Sequence, residues 1–495
     1  MMKLTGPVRN PGFHVPCTCS SGTDDFICGP VLTESRTFCH RSAFLSEVRF
    51  VRVIKRKEVL TLAFGAMLGW SWVALTGIWI ADAGSLGAIL GFLTGGVAII
   101  FVGLTYAELA SAMPEAGGEH IYSHRALGYN ASFICTWALL LGYVSVVMFE
   151  AVALPTVVDY LVPGFSRGYL WTVAGWDVEL TWVLAGVTAG IVMTAINVVG
   201  IRVAARLQML VTSLIVLAGV TLVGGAAVAG DTANMQPLFA DGAKGMLGVL
   251  VIVPLLLVGF DVIPQTAEEI DLPFAVIGKV LVVSIFLAVA FYMLMVWGVS
   301  VGLGTEARAA AELPTADAAT RLVGAGWGGK VLIVGGIGGI LTSWNAFIIG
   351  ASRAMYAMAH ARQLPAWLGE LHPHFKTPYK AVLFIGALSV LAPLFGRQAL
   401  VWLVDAGSFG VTIAYAFVAL SFLVLRRREP DMQRPYKVRY WKTTGYAACG
   451  FSVGIAILFM PFSPAALIWP YEWTIVAGWW LIGLGLLGFR IWSDR

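Results

Sequence analysis

Charge is what this 495-residue sequence most lacks: Asp, Glu, Lys and Arg make up 12% of it. A soluble globular chain carries about 25%. The deficit leaves too little polar surface to solvate a globule of this size, which excludes an ordinary soluble enzyme or binding module. Cysteine is scarce too, six residues in all. Four of them (Cys17, Cys19, Cys28 and Cys39) fall in the first 39 positions, and Cys135 and Cys449 lie in apolar blocks. A disulfide scaffold is therefore not expected. The cluster His14, Cys17, Cys19, Cys28, Cys39 and His40 lacks the spacing of a zinc finger or ribbon. No metal-ligand cluster, phosphate loop or nucleophile–base pair is evident, which argues against an enzyme. The net charge of +4 implies no nucleic-acid partner, because the basic residues are scattered through short loops.

Apolar residues are what the sequence has in excess: 58% are hydrophobic and the mean hydropathy is +0.82. They come in long blocks, not in amphipathic periods. Twelve blocks are each long enough to cross about 30 Å of hydrocarbon as a helix. They cover roughly 59–81, 84–112, 130–161, 181–201, 205–229, 244–265, 274–303, 330–359, 379–396, 400–425, 444–463 and 472–491. The expected fold is an all-α membrane protein of about twelve transmembrane helices. No barrel-like alternation is present. No cleavable signal peptide is expected, because the first block begins near residue 59. Residues 1–45, rich in Gly, Pro, Ser, Thr and Cys, read as a disordered cytoplasmic tail.

The basic residues sort by side. With twelve passes, 23 of the 32 Lys and Arg fall on the side of the termini and 6 on the other, the rest lying in the tail. That asymmetry predicts both termini in the cytoplasm of a cell membrane. Many Trp sit at block ends, as an interfacial belt requires. Trp70, Trp72 and Trp344 sit well inside blocks instead.

Two blocks are interrupted. The first reads LAFGAMLGWSWVALTG and includes Ala66, Gly69, Trp70, Ser71 and Trp72. The sixth reads VPLLLVGFDVIPQTAEE, with Pro254, Gly259 and Pro264 around Asp261. Gly and Pro free backbone groups that lipid cannot satisfy. Breaks at corresponding positions of two halves point to a substrate site at the membrane midplane. Five passes separate these two, the layout of an inverted repeat. Small-residue helix packing alone leaves the prolines and the acid unexplained.

At these residues the sequence resembles the amino acid–polyamine–organocation superfamily of permeases. YAELASAMPEAGGEHIYSHRALG, GFDVIPQTAEEIDLP, ASRAMYAMAHARQLP and RRREPDMQRPYKV match its signatures in order, over roughly residues 50–445. The resemblance implies five plus five inverted helices, with helices 1 and 6 broken, two peripheral helices and alternating access. The repeats would cover about 55–230 and 243–426 within a core of 46–430, with 431–495 peripheral. It also implies a substrate carboxylate on the amides of the first break and an amine on sixth-helix carbonyls near Leu256, Leu257 and Val258, beside Gly259 and Phe260. The family usually has a Gly-Ser-Gly type sequence where this chain has Gly69-Trp70-Ser71-Trp72.

Further candidates carry charge or hydroxyls at membrane depth. Glu150 is a coupling proton site or an ammonium partner, against the alternative of a bond to a neighbouring helix. The resemblance implies a structural or gating role for Asp261, whose family equivalent often lies on the cytoplasmic gate. Glu268, Glu269 and Glu108 are read as gate partners of arginines such as Arg353, against the alternative of solvated helix ends. Thr342 and Ser343 form a hydroxyl pair of the kind that helps bind Na⁺ in sodium-coupled relatives of this fold. The coupling ion stays open between Na⁺ and H⁺, and no cofactor is expected. The expected activity is ion-coupled symport of an amino acid or related small amine, the partners being that solute and the lipid bilayer. An exchanger, a polyamine or ethanolamine carrier and a transporter-like nutrient sensor are the alternatives. Nothing in the sequence demands an oligomer.

Overall fold

A computed structural model describes residue 50 and residues 52–493, apart from 312, 325, 464 and 465. The cysteine-bearing tail, with its His14-to-His40 cluster, lies outside the described residues.

The first pass is split into α1 (Arg56–Ala66), α2 (Ser71–Ala74) and α3 (Thr76–Ala83). The second is α4 (Ser85–Ala112), followed by a short helix α5 (Glu119–Leu127) and the third pass α6 (Tyr129–Leu161). A two-stranded antiparallel hairpin, β1 (Tyr169–Val173) and β2 (Trp176–Glu179), precedes α7 (Leu180–Val199) and α8 (Ile201–Ala229). The hairpin was not expected; it sits in a connection, so it leaves the helical count intact. The sixth pass is split into α9 (Gly242–Leu256) and α10 (Val262–Gln265). Next come α11 (Phe274–Gly302), the connecting helices α12 (Thr305–Ala310) and α13 (Pro314–Val323), and α14 (Trp327–His360). The last four passes are α15 (Tyr379–Leu391), α16 (Ala399–Arg428), α17 (Trp441–Leu458) and α18 (Tyr471–Ser493).

Among the described residues, eight helices are long and apolar enough to cross a membrane unbroken. The split first and sixth passes, the shorter α15 and the less apolar α17 bring the passes to twelve. The chain is thus an all-α, multi-pass membrane protein. Burial ranks its helices: 83% of the apolar stretch of α14 and 78% of that of α6 is buried, against 17% for α18. So α6 and α14 form the centre and α18 the rim. It is pinned by Trp479, which stacks on Trp137 at 4.6 Å. Each of these indoles donates to the other's carbonyl, at 3.0 and 2.9 Å.

The two broken passes touch at their breaks. Gly259 has φ +131, a conformation that only glycine adopts without strain. A Cβ there would lie 2.7 Å from Ala66 Cβ and 3.0 Å from the Met67 amide nitrogen. Pro254 and Pro264 sit in the halves on either side. Proline removes an amide donor and clashes one turn back, so neither half continues regularly through the break.

Candidate functional site

The first break leaves a run of free donors. Leu68 N–H reaches Gly65 O at 3.1 Å, and the next backbone bond starts from Val73 N–H to Trp70 O at 3.0 Å. The amides of residues 69–72 find no backbone acceptor among the described residues. Such N–H groups, at the start of the outer half-helix, suit an anion. The sixth break leaves the converse. Leu257 and Val258 donate to Val253 O and Leu255 O, at 2.9 and 3.1 Å. The carbonyls of Leu256, Leu257 and Val258 receive no backbone N–H among the described residues, and suit a cation.

Both sets border one cavity of about 60 Å³, lined by Ala66, Gly69, Trp70, Ser71, Leu256 and Val258. Phe149, Phe347 and Leu403 make most of the remaining wall apolar. Of the residues singled out in the sequence, Leu257, Gly259, Phe260 and Trp72 do not line it. Trp72 turns away and meets Phe291 edge-on at 5.4 Å. Phe260 packs between Tyr106 and Tyr415, at 5.3 and 5.6 Å.

Glu150 does line the cavity, together with Ser343. Ser343 Oγ donates to Glu150 Oε1, and Glu150 Oε2 is buried without a partner. An added Cβ on Gly69 would lie 2.7 Å from Glu150 Oε1. The carboxyl therefore sits against the free amide run, and only a residue without a side chain leaves it room. Thr342 faces elsewhere: its hydroxyl donates to Gly65 O at 2.9 Å and Gly339 O at 2.8 Å. Consecutive residues on a helix point about 100° apart, so Thr342 turns to Gly65 O and Ser343 to Glu150, while both hydroxyls also donate to Gly339 O. Together with Gly65 O and Gly339 O they form an oxygen-only set of the type a hard cation accepts.

On the face carrying most Lys and Arg, here the basic face, a buried ion pair ties two passes together. Arg353 Nε and Nη2 donate to Glu269 Oε2 and Oε1, each at 3.0 Å, with both side chains buried. Residues 53 and 54 donate to Glu269 O at 2.9 and 3.0 Å. Glu268, named with Arg353 in the sequence, instead accepts the Ala116 N–H at 3.1 Å. Glu108 binds two other arginines, Arg426 and Arg434. Asp261 stays in the sixth break, where its Oδ1 accepts the Gly259 N–H at 2.9 Å.

Sequence reasoning missed Tyr292. Its hydroxyl donates to Met67 O at 2.9 Å and lies 3.0 Å from Ser71 Oγ, bridging the first break. The available signal was a lone phenol at mid-depth in an otherwise apolar pass. Also missed was a buried amide chain. Asn197 donates to Asn345 Oδ1 at 3.1 Å, Asn345 to Gln208 Oε1 at 2.9 Å, and Gln208 to Thr61 O at 3.4 Å.

Two broken helices meeting at a small, mostly apolar chamber, closed on one face by a buried ion pair, define a membrane transporter. The chain belongs to the amino acid permease family, which it matches over residues 54–484. It is 28% identical over 437 residues to a branched-chain amino acid permease of Bacillus subtilis, covering 86% of this chain and 90% of that one. It is 24% identical to a methylthioribose transporter of the same organism, covering 90% and 94%. A serine/threonine exchanger of B. subtilis is 28% identical, covering 77% and 84%.

Proposed function

We propose that this permease carries a small aliphatic amino acid across the cell membrane by proton symport, with Glu150 as the coupling group. The carrying observation is the contact between Glu150 and Gly69, which places a buried carboxyl against the amides that would hold the substrate carboxylate. Two anions cannot share that site: like charges a few ångströms apart in low dielectric repel strongly. A proton on Glu150 removes the conflict, so proton and substrate bind together. The substrate ammonium then lies against the carbonyls of Leu256 and Val258, and the apolar wall takes an aliphatic side chain. The branched-chain specificity of one relative agrees with such a wall.

The domain reading belongs to the same proposal: inverted repeats over 55–230 and 243–426, peripheral helices beyond 431, and both termini in the cytoplasm. The charge asymmetry of the loops supports that orientation.

Uptake of labelled valine, leucine and alanine into proteoliposomes tests this reading. An inward proton gradient is expected to drive accumulation, and Glu150→Gln to abolish its dependence on the gradient. Accumulation that ignores the gradient in the wild type overturns the proton reading. A second reading, sodium coupling, is favoured by the oxygen set around Thr342 and Ser343. It predicts that replacing Na⁺ with choline stops uptake.

A further inference from the structure

A second pair of carboxyls lies away from the cavity, between α5 and the inner half of the sixth pass. Glu119 opens α5, and Asp261 and Gln265 stand one turn apart at α10. All three are fully buried. Gln265 Nε2 donates to Glu119 Oε2, which joins the two helices through a single side chain. Asp261 Oδ2 accepts from the Tyr415 hydroxyl at 3.3 Å. Glu119 Oε1 and Gln265 Oε1 are acceptors left without a donor, and the hydroxyls of Tyr106, Tyr122 and Tyr143 are buried without acceptors.

Among the described residues, no Lys or Arg forms an ion pair with Glu119 or Asp261. His120, the neighbour of Glu119, is pushed down to about 4 by burial and is neutral; its Nδ1 lies 3.2 Å from Thr136 Oγ1. The arginines of the surrounding elements are engaged. Arg353 of α14 holds Glu269, Arg125 of α5 holds Glu429, and Arg428 of α16 donates to Ala126 O at 3.2 Å. Glu268, on the sixth-pass side, is held by the Ala116 N–H. The titratable groups facing the pair from α4, α6 and α16 are the phenols Tyr106, Tyr143 and Tyr415 and the thiol of Cys135. Burial first, and the charge of Asp261 second, hold the Glu119 carboxyl well above the usual carboxylate range.

Two buried carboxylates with no counter-ion cost several kcal/mol as a doubly charged pair, and the missing donor is a hydrogen. We propose that Glu119 and Asp261 together bind one proton while the basic face is closed, and that losing this proton to the cytoplasm drives α10 from α5 and opens that face. The geometry couples the charge to the gate. Gly117 N–H donates to Gln265 O at 3.4 Å, so the loop ahead of α5 docks on the same turn of α10 that carries Gln265. Repulsion between the carboxylates acts across this joint. Glu269, which Arg353 clamps, lies one helical turn beyond Gln265.

The inference rests on the chain being an alternating-access transporter, but not on its substrate. The test uses the full-length protein in lipid nanodiscs without any solute. Hydrogen–deuterium exchange of residues 262–270, corrected for the intrinsic pH dependence of amide exchange, reads gate opening from pH 5 to 8. In the wild type, opening is expected to rise about tenfold per pH unit over the range where the closed state holds the shared proton and the open state does not, the slope of a single linked proton, and to level off above that range. Glu119→Gln and Asp261→Asn are each expected to flatten that slope. If one variant is recovered unfolded, the other carries the test, because either change removes half of the shared site. A folded variant that keeps the wild-type slope overturns the proposal. So does a wild-type slope that follows the choice of Na⁺, K⁺ or choline and not pH, since the pair then binds a metal cation. Failure to transport amino acids would leave these readouts untouched.

Discussion

The two broken passes meet the same problem in opposite ways. At the first break the amides of residues 69–72 are left without backbone partners, and the surroundings serve the other groups: Tyr292 bridges Met67 O and Ser71 Oγ. At the sixth, the chain caps itself, with Asp261 Oδ1 taking the Gly259 N–H. Among the described residues, the carbonyls of residues 256–258 and the amides of Phe260 and Asp261 keep no backbone partner there. A free amide run at membrane depth is expensive unless something fills it; a self-capped break is cheap and can act as a joint. On the proposed function, the first break is the one to hold a ligand and the sixth the one to move.

This contrast can be attacked through particular residues. The largest effect is expected at the far end of the joint. Arg353→Ala leaves Glu269 buried and unpaired, which costs about 3–5 kcal/mol. Thermal unfolding in detergent should record that loss, and the double variant Arg353→Met/Glu269→Met should recover most of it. At the joint itself, Gly259→Ala combines a φ of +131 with a Cβ 2.7 Å from Ala66 Cβ. We expect about 1–3 kcal/mol of destabilisation, the usual cost of a strained backbone.

At the first break the penalty should fall on binding. Gly69→Ala puts a methyl 2.7 Å from Glu150 Oε1, and substrate KM should rise at least about tenfold, some 1.4 kcal/mol, with kcat less affected. Equal losses of kcat and binding would blur the distinction between the breaks. Tyr292→Phe removes the bridge and should cost about 1 kcal/mol of stability.

The smallest effects are in pH dependence, where two neighbours act with opposite sign. His120 is buried neutral at about 4, below its usual 6.5. The stability it contributes is present above pH 6.5 and is lost as pH falls from 6.5 towards 4. Glu119 has its carboxyl raised, so the folded state binds more protons and stability falls as pH climbs above the ordinary carboxylate range. Unfolding midpoints measured from pH 4 to 8 should show both limbs. His120→Asn should flatten only the acidic one.

Much of this fold was legible in the sequence because membranes impose strong local rules. A helix must be apolar along its length, and Gly and Pro interrupt it wherever they cluster. The twelve passes and the breaks near Gly69 and Gly259 follow from that alone. The Lys and Arg bias adds an expected orientation. What the sequence could not decide was pairing. Glu268 and Glu269 are adjacent, and only the packed structure shows that Arg353 takes Glu269 while Glu268 caps the loop at Ala116. Trp70 and Trp72 looked alike, yet only Trp70 reaches the cavity. Tyr292 bridges a break more than 200 residues earlier, and Glu119 meets Gln265 across 146 positions. Hydrophobic length and backbone breaks are properties of a segment, so the sequence alone determined them. Which carboxyl meets which amide, arginine or second carboxyl depends on how segments far apart in the chain pack, and only the tertiary structure decided that.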